Sequence, residues 1–227
     1  MTNDIAAKPE LGKGMYTIPD ASLILNLPKE KVRRWIKKYW EIDFVTSAGL
    51  KAEYTWGDRR DKAFNFYTLI EIIAIHSFRE IGVTFPRIKK ARAKLARILE
   101  TNFPFAHAEL ISDGKRIFLE HDKTLLELDE EQQFVFYQIV APYCKKIDFQ
   151  DKTRLARRFW PLGKDHQIIV DPNHHFGQPV IKGTNISVYT LINMLKAGES
   201  PEFVASLYEL SDQSIRDTQT FMKRMVA

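Results

Sequence analysis

Cysteine is almost absent from this chain of 227 residues: Cys144 stands alone. No internal disulfide can form, and no thiolate cluster can hold a metal; a buried thiol is the reading that remains. No apolar run approaches the roughly 18 to 20 residues of a membrane span, and the opening stretch MTNDIAAKPELGKG lacks the apolar heart of a secretion signal. A cytoplasmic location is therefore expected. Also missing are a glycine-rich phosphate loop, the signature of a nucleophilic serine, and the cysteine, histidine and carboxylate spacings of a zinc site. His174 and His175 form the one adjacent histidine pair, and neighbours on a loop cannot both face one metal without further ligands. Asp171 and His175 read as turn residues. Glu127, Asp129, Glu130 and Glu131 could hold a divalent cation, but they fit better as the acidic start of a helix over Gln133 to Cys144. The expectation is a protein that is not an enzyme and takes no metal or cofactor.

What is present is ordinary globular material, 44% apolar and 28% charged, and long enough for two domains. The net charge of +5 is unevenly spread: residues 1–104 hold 19 Lys and Arg against 12 Asp and Glu, residues 105–160 hold 9 against 10, and residues 161–227 hold 6 against 7. Phosphate neutralisation supplies most non-specific affinity for DNA, so nucleic-acid binding is assigned to the first part.

The stretch Tyr16 to Trp40 reads as two short helices around a tight turn. Pro19 and Asp20 open the first, with Ala21, Ile24 and Leu25 on one face, and Asn26-Leu27-Pro28 breaks it. In the second, Pro28 to Trp40, the apolar residues Val32, Trp35, Ile36 and Tyr39 share a seam. Lys29, Lys31, Arg33, Arg34, Lys37 and Lys38 occupy the rest of its surface, with Glu30 as the one offsetting charge. A buried seam and a cationic outer face suit a helix presented to phosphates and base edges. Phe44 to Tyr67 follows as a hairpin with a charged tip, read either as a wing placing Arg59, Arg60 and Lys62 on phosphates or as an ordinary surface hairpin damped by Asp58 and Asp61.

Thr68 to Ile81 is dense enough in apolar residues to be a helix buried on most sides, with His76 a hydrogen-bonded core residue; Gly82 ends it. A helix opened by Thr84-Phe85-Pro86 carries an apolar stripe of Ile88, Ala91, Leu95 and Ile98. Its other face holds Arg87, Lys89, Lys90, Arg92, Lys94 and Arg97, serving either phosphates or solvent. Ala108 to Leu119 looks like a hairpin around Asp113-Gly114, and Leu155 to Leu162 is expected to lie against the domain before it. Ile168 to Val170 reads as a strand, with turns around Val180-Ile181-Lys182. Three short helices follow, opened by Ser187, Ser200-Pro201 and Ser211; Asp212 and Asp217 offset Arg216 on the last, which argues against strong DNA binding there. The expected fold is mainly α with small β-hairpins. A winged helix-turn-helix domain occupies residues 15–104, a connecting hairpin and helix 105–160, and a three-helix, helix-turn-helix-like domain 161–227.

Two resemblances meet in this order of elements. Phe66-Tyr67-Thr68-Leu69-Ile70-Glu71 and Arg79-Glu80-Ile81-Gly82-Val83, set after the helix pair and hairpin and before a basic helix, resemble the MerR-type winged domain. Val170-Asp171-Pro172, Gly177 to Val188 and Ala197-Gly198-Glu199-Ser200-Pro201-Glu202 are similar to a small bacterial domain family, departing from its pattern at Phe203. Together they resemble VapB-type antitoxins of VapBC-like modules. That resemblance implies a partner toxin of the PIN-like ribonuclease kind, repression of the chain's own operon through operator DNA, and no enzymatic activity; it assigns no residue to toxin contact. A homodimer is expected, because helix-turn-helix proteins gain affinity by engaging two half-sites. The rival reading is a MerR-like transcriptional regulator with a C-terminal effector-sensing domain.

Overall fold

The computed structural model describes residues 12–44, 54–57, 62–80, 82–107 and 145–225. A short strand β1 (Tyr16–Thr17) leads into helix α1 (Ile18–Leu25). Thr17 and Asp20 form a reciprocal cap: the Thr17 amide donates to Asp20 Oδ2 at 2.9 Å, and Thr17 Oγ1 accepts from the Asp20 amide at 3.3 Å. Asn26, at φ 56°, ends α1 in the left-handed region that asparagine tolerates, and the Leu27 amide donates to Ser22 O at 3.0 Å. Pro28 then leads into α2 (Lys29–Trp35), which continues as wider π-helical turns from Ile36 to Asp43. Val32, Trp35, Ile36 and Tyr39 are all buried, as their spacing requires, and Trp40 joins them.

β2 (Thr55–Trp56) and β3 (Ala63–Phe64) form the expected antiparallel pair, but β1 pairs with the far side of β3, so the hairpin is part of a three-stranded sheet with β3 in the centre. Phe44, expected in the hairpin, ends the helical run instead; it lies fully buried with its ring edge-on to Trp40. α3 (Phe66–Glu80) buries Phe66, Leu69, Ile70, Ile72, Ile75 and Phe78, and Gly82 turns the chain at φ +84° toward α4 (Phe85–Ile98).

One residue of the expected basic face of α4 is not on a face at all. Arg92 is buried, donating to Glu71 of α3 through Nη2 at 2.8 Å and Nε at 3.2 Å, and to Asn102 O at 2.6 Å. Glu71 also accepts from Trp40 Nε1 at 3.3 Å and the Phe105 amide at 3.2 Å. Burial raises the Glu71 carboxyl above its ordinary value even though Arg92 and these hydrogen bonds pull it down. Burial is also the largest single influence on Arg92, but Glu71 and Tyr54 together outweigh it and the guanidinium stays charged. A spacing argument places Arg92 among surface cations because its partner lies 21 positions away.

The second half departs from the expectation of a mainly helical protein. β4 (Ile147–Phe149), β5 (Ala156–Phe159), β6 (Ile168–Val170) and β7 (Pro179–Ile181) form a four-stranded antiparallel sheet in chain order. The described fold is therefore mixed, with two small antiparallel sheets among several helices. α5 (Val188–Lys196), α6 (Pro201–Leu207) and α7 (Asp212–Met222) follow where expected. Ser200 and Ser211 cap α6 and α7 by accepting from the amides of Phe203 at 3.1 Å and Ser214 at 3.3 Å. The hairpin at Ala108 to Leu119, the helix at Gln133 to Cys144, the acidic cluster before it and Cys144 lie outside the described residues.

Asp217, expected to offset Arg216 on the surface, is 2% exposed. Its carboxylate accepts from the Gln167 amide at 2.7 Å and Gln213 Nε2 at 2.7 Å, and its Oδ1 lies 2.8 Å from His166 Nδ1. It ties α7 to the turn before β6. Asp217→Ala leaves these donors without an acceptor, and its expected cost is about 2–3 kcal/mol in a urea titration; a midpoint equal to the parent's would refute the tie.

The two halves touch directly. The Met15 amide donates to Phe176 O at 3.1 Å, and the Tyr16 ring packs against Gly177. Arg224, in the 3-10 turn Lys223–Met225, donates to Ile24 O at 3.0 Å and Pro161 O at 3.1 Å. One apolar core runs from the α1–α4 region into the second sheet and its helices.

Candidate nucleic-acid interface

α2 is locked from behind. Tyr39 stacks on Phe85 of α4 with ring centroids 3.6 Å apart, and Trp40 reaches Glu71 of α3. Trp35 lies beside His76 of α3, centroids 6.1 Å apart. Aromatic packing of this kind fixes helix rotation, so the outward residues are set by the inward ones.

Lys29, Arg33, Arg34, Lys37 and Lys38 are exposed along that outward surface. Lys29, Arg34 and Lys37 form no ion pair with another described residue. Arg33 pairs with Glu30, an exposed contact of small worth. Lys38 Nζ stands 6.0 Å from the Phe85 ring centroid. Lys31 is different: it is half-buried, 3.2 Å from His76 Nδ1, 3.6 Å from Glu80 Oε1 and 5.1 Å from the Trp35 ring centroid. Burial, then the Lys31 charge, lower the affinity of His76 for a proton, which leaves its Nδ1 lone pair to accept from the lysine. Lys31 thus anchors α2 to α3, and His76 is hydrogen-bonded as expected but half-buried at the edge of the core, not within it.

Of the hairpin cations, Lys62 forms a 2.9 Å ion pair with Glu41 in the π-helical turns, joining the sheet to the end of the α2 run. Arg59 and Arg60 lie outside the described residues. Sequence reasoning missed Arg79. It sits in the last turn of α3, exposed, and donates to Val83 O at 2.8 Å. With Lys31, Arg34, Trp35, Lys38, Tyr39 and Glu80 it lines an open cleft of about 310 Å³, four cations against one carboxylate. Burial raises the Tyr39 hydroxyl's pKa, and the nearby charges of Arg79 and Arg34 counter part of that rise. The signal was faint, since Arg79 joins the cleft only through the packing of α3 on α2.

Among the described residues the second half offers no comparable constellation. Asp171 is buried, accepts from the Asn173 amide at 2.9 Å and from Arg158 Nη2 at 3.2 Å, and lies 3.6 Å from His174 Nδ1. That is a turn held together by a carboxylate. Among the described residues no group of three or more His, Cys, Asp or Glu is placed to hold a metal, and no helix is long and apolar enough to cross a membrane.

The described arrangement is thus a helix-and-sheet protein with a cationic helix face braced on an apolar core. Comparison with known proteins places it further. Residues 168–221 match the domain family described as "Protein of unknown function (DUF433)". The chain is 25% identical over 221 residues to the Mycobacterium tuberculosis (strain ATCC 25618 / H37Rv) protein named "Putative antitoxin VapB45", covering 89% of this chain and 91% of that one. It is 23% identical over 249 residues to "Uncharacterized protein Rv2308" of the same organism, covering 99% and 96%. The crystal structure of Rv2018 from Mycobacterium tuberculosis superposes with a TM-score of 0.71 at 22% identity, over 95% of this chain and 100% of that one. At that identity the likeness speaks for the fold alone.

Proposed function

We propose that this chain is an antitoxin that binds a PIN-like ribonuclease toxin and represses its own operon by binding operator DNA. The similarity to a protein named as an antitoxin, extending over 89% of the chain, supports the toxin partner. The observation that carries the DNA contact is α2, whose seam is fixed by Trp35, Tyr39 and Trp40 while Lys29, Arg33, Arg34, Lys37 and Lys38 face outward. In this reading α1 and α2 with the three-stranded sheet act as a MerR-like winged helix-turn-helix within residues 15–104. α2 enters the major groove, and Arg59, Arg60 and Lys62 serve the wing. Residues 105–160 lead from this unit to a C-terminal unit at 161–227, β4 and β5 completing the sheet of that unit, and a homodimer engages a palindromic operator.

Replacing Arg34 and Lys37 together by alanine is expected to weaken operator binding and to lower the salt slope by about 2, one for each phosphate no longer neutralised. Gel-shift titrations at two salt concentrations read both, and an unchanged slope would reject α2 as the phosphate-binding helix. For the partner, co-expression with the neighbouring gene should give a stable complex, and that neighbour should arrest growth when expressed alone. No complex and no arrest would favour a MerR-like regulator instead.

A further inference from the structure

α6 turns an apolar pair toward solvent. Phe203 and Leu207 stand one turn apart and are 48% and 54% exposed, while Val204 and Ala205 of the same helix fill the core. Isolated apolar side chains on a surface are common; two in register on one short helix make a strip a partner can cover.

Along the stretch that carries that strip the charges are of one sign, with the exposed Lys196 and Arg216 just outside it. Between Ala197 and Ile215 the chain carries Glu199, Glu202, Glu209 and Asp212 and no lysine, arginine or histidine, in a protein whose net charge is +5. All four are exposed, and none pairs with a cation among the described residues. Glu202 and Asp212 suit the first turns of α6 and α7. Glu199 and Glu209 have no such role, lying before α6 and after it. Exposed unpaired carboxylates repel one another in the isolated chain, and they gain partners only when cations arrive from outside.

The geometry points to the α6 face as the docking surface for a basic protein, namely the ribonuclease toxin of the proposed function, on which this inference rests. A ribonuclease must present cations where it holds RNA phosphates. The acidic rim of α6 is complementary to such a surface, and Phe203 and Leu207 supply the apolar anchors that charge alone does not. Docked there, the antitoxin occupies the ground its partner needs for RNA. The two ends of the chain then divide the work by sign of charge: α2 meets DNA with cations, and α6 meets a cationic protein with carboxylates.

Full-length chain titrated against the purified product of the neighbouring gene tests this. Phe203→Ser with Leu207→Ser should weaken the complex about thirtyfold or more. Glu199→Lys with Glu202→Lys and Glu209→Lys, which alters exposed side chains alone, should slow association and remove its salt dependence. Operator binding by gel shift and oligomeric state by light scattering should match the parent in both variants, showing that the fold is intact. If the parent binds its neighbour and both variants bind equally well, the α6 surface is overturned while the antitoxin reading stands. A parent that binds no neighbour overturns that reading, and the occupant of α6 with it. Variants that keep the toxin but lose the dimer would assign the face to a second copy of the chain and overturn the proposal.

Discussion

Gly177→Ala is expected to destabilise the protein by about 2–4 kcal/mol, a large share of the stability of a chain of this size. Gly177 sits at φ +88°, where a side chain is strained in any surroundings. Here the surroundings are closed as well. A Cβ would overlap the Tyr16 hydroxyl and stand 2.7 Å from Tyr16 Cζ and 3.4 Å from Gly14 Cα. Tyr16 cannot swing clear: it is 1% exposed, and Gly14 already lies under its ring so tightly that a Cβ there would meet Cε2 at 2.9 Å. Tyr16→Phe should return part of the loss when added to Gly177→Ala, because the hydroxyl is the first atom met and has no hydrogen-bond partner among the described residues. Denaturant midpoints of the parent, the single and the double variant decide the matter. A single variant within about 0.5 kcal/mol of the parent, or no recovery in the double, would show that the two halves do not meet at this contact.

Arg92→Met should be at least as costly, about 3–5 kcal/mol near neutral pH. It strands Glu71, a fully buried carboxyl that Arg92 holds on two nitrogens. The cost should also depend on pH. The folded-state pKa of Glu71 is already raised, by burial, and losing Arg92 raises it further. Below its ordinary value of 4.5 both folded and unfolded chains carry the proton, so the variant bears no charge penalty. Above that value the unfolded chain ionises while the folded one still holds its proton, and stability falls with rising pH until the folded value is passed. Urea titrations at about pH 4.5 and about pH 7.5 should therefore show a smaller deficit at the lower pH. Adding Glu71→Gln to Arg92→Met should recover stability at the higher pH alone. A deficit that is the same at both pH values would mean that Glu71 is not stranded in the folded chain.

These two contacts also show where the sequence was readable. Val32, Trp35, Ile36 and Tyr39 declared the inner face of α2 by spacing, and they are buried. Ser200 and Ser211 declared the starts of α6 and α7 in the same local way, each bonding an amide three residues on. The four-stranded sheet was hidden because its strands are three or four residues long, too short for alternation to register. β5, Ala156-Arg157-Arg158-Phe159, looks like an aromatic flanked by arginines, yet Ala156 and Phe159 face the core while Arg158 turns to Asp171. Arg92 and Asp217 looked like surface charge because what buries them lies far along the chain, at Glu71, His166 and Gln167. The cations of α2 were legible as a set. That Lys31 belongs to the brace and Arg79 to the cleft depended on how α3 packs, which no local pattern encodes.

Arg224 has a consequence in the order of synthesis. Its guanidinium satisfies the Ile24 carbonyl at the end of α1, a contact spanning 200 positions. The chain leaves the ribosome from its N-terminus, so α1 is complete long before the group that seats its last turn is made. During that interval α1 is present without the contact that seats its last turn.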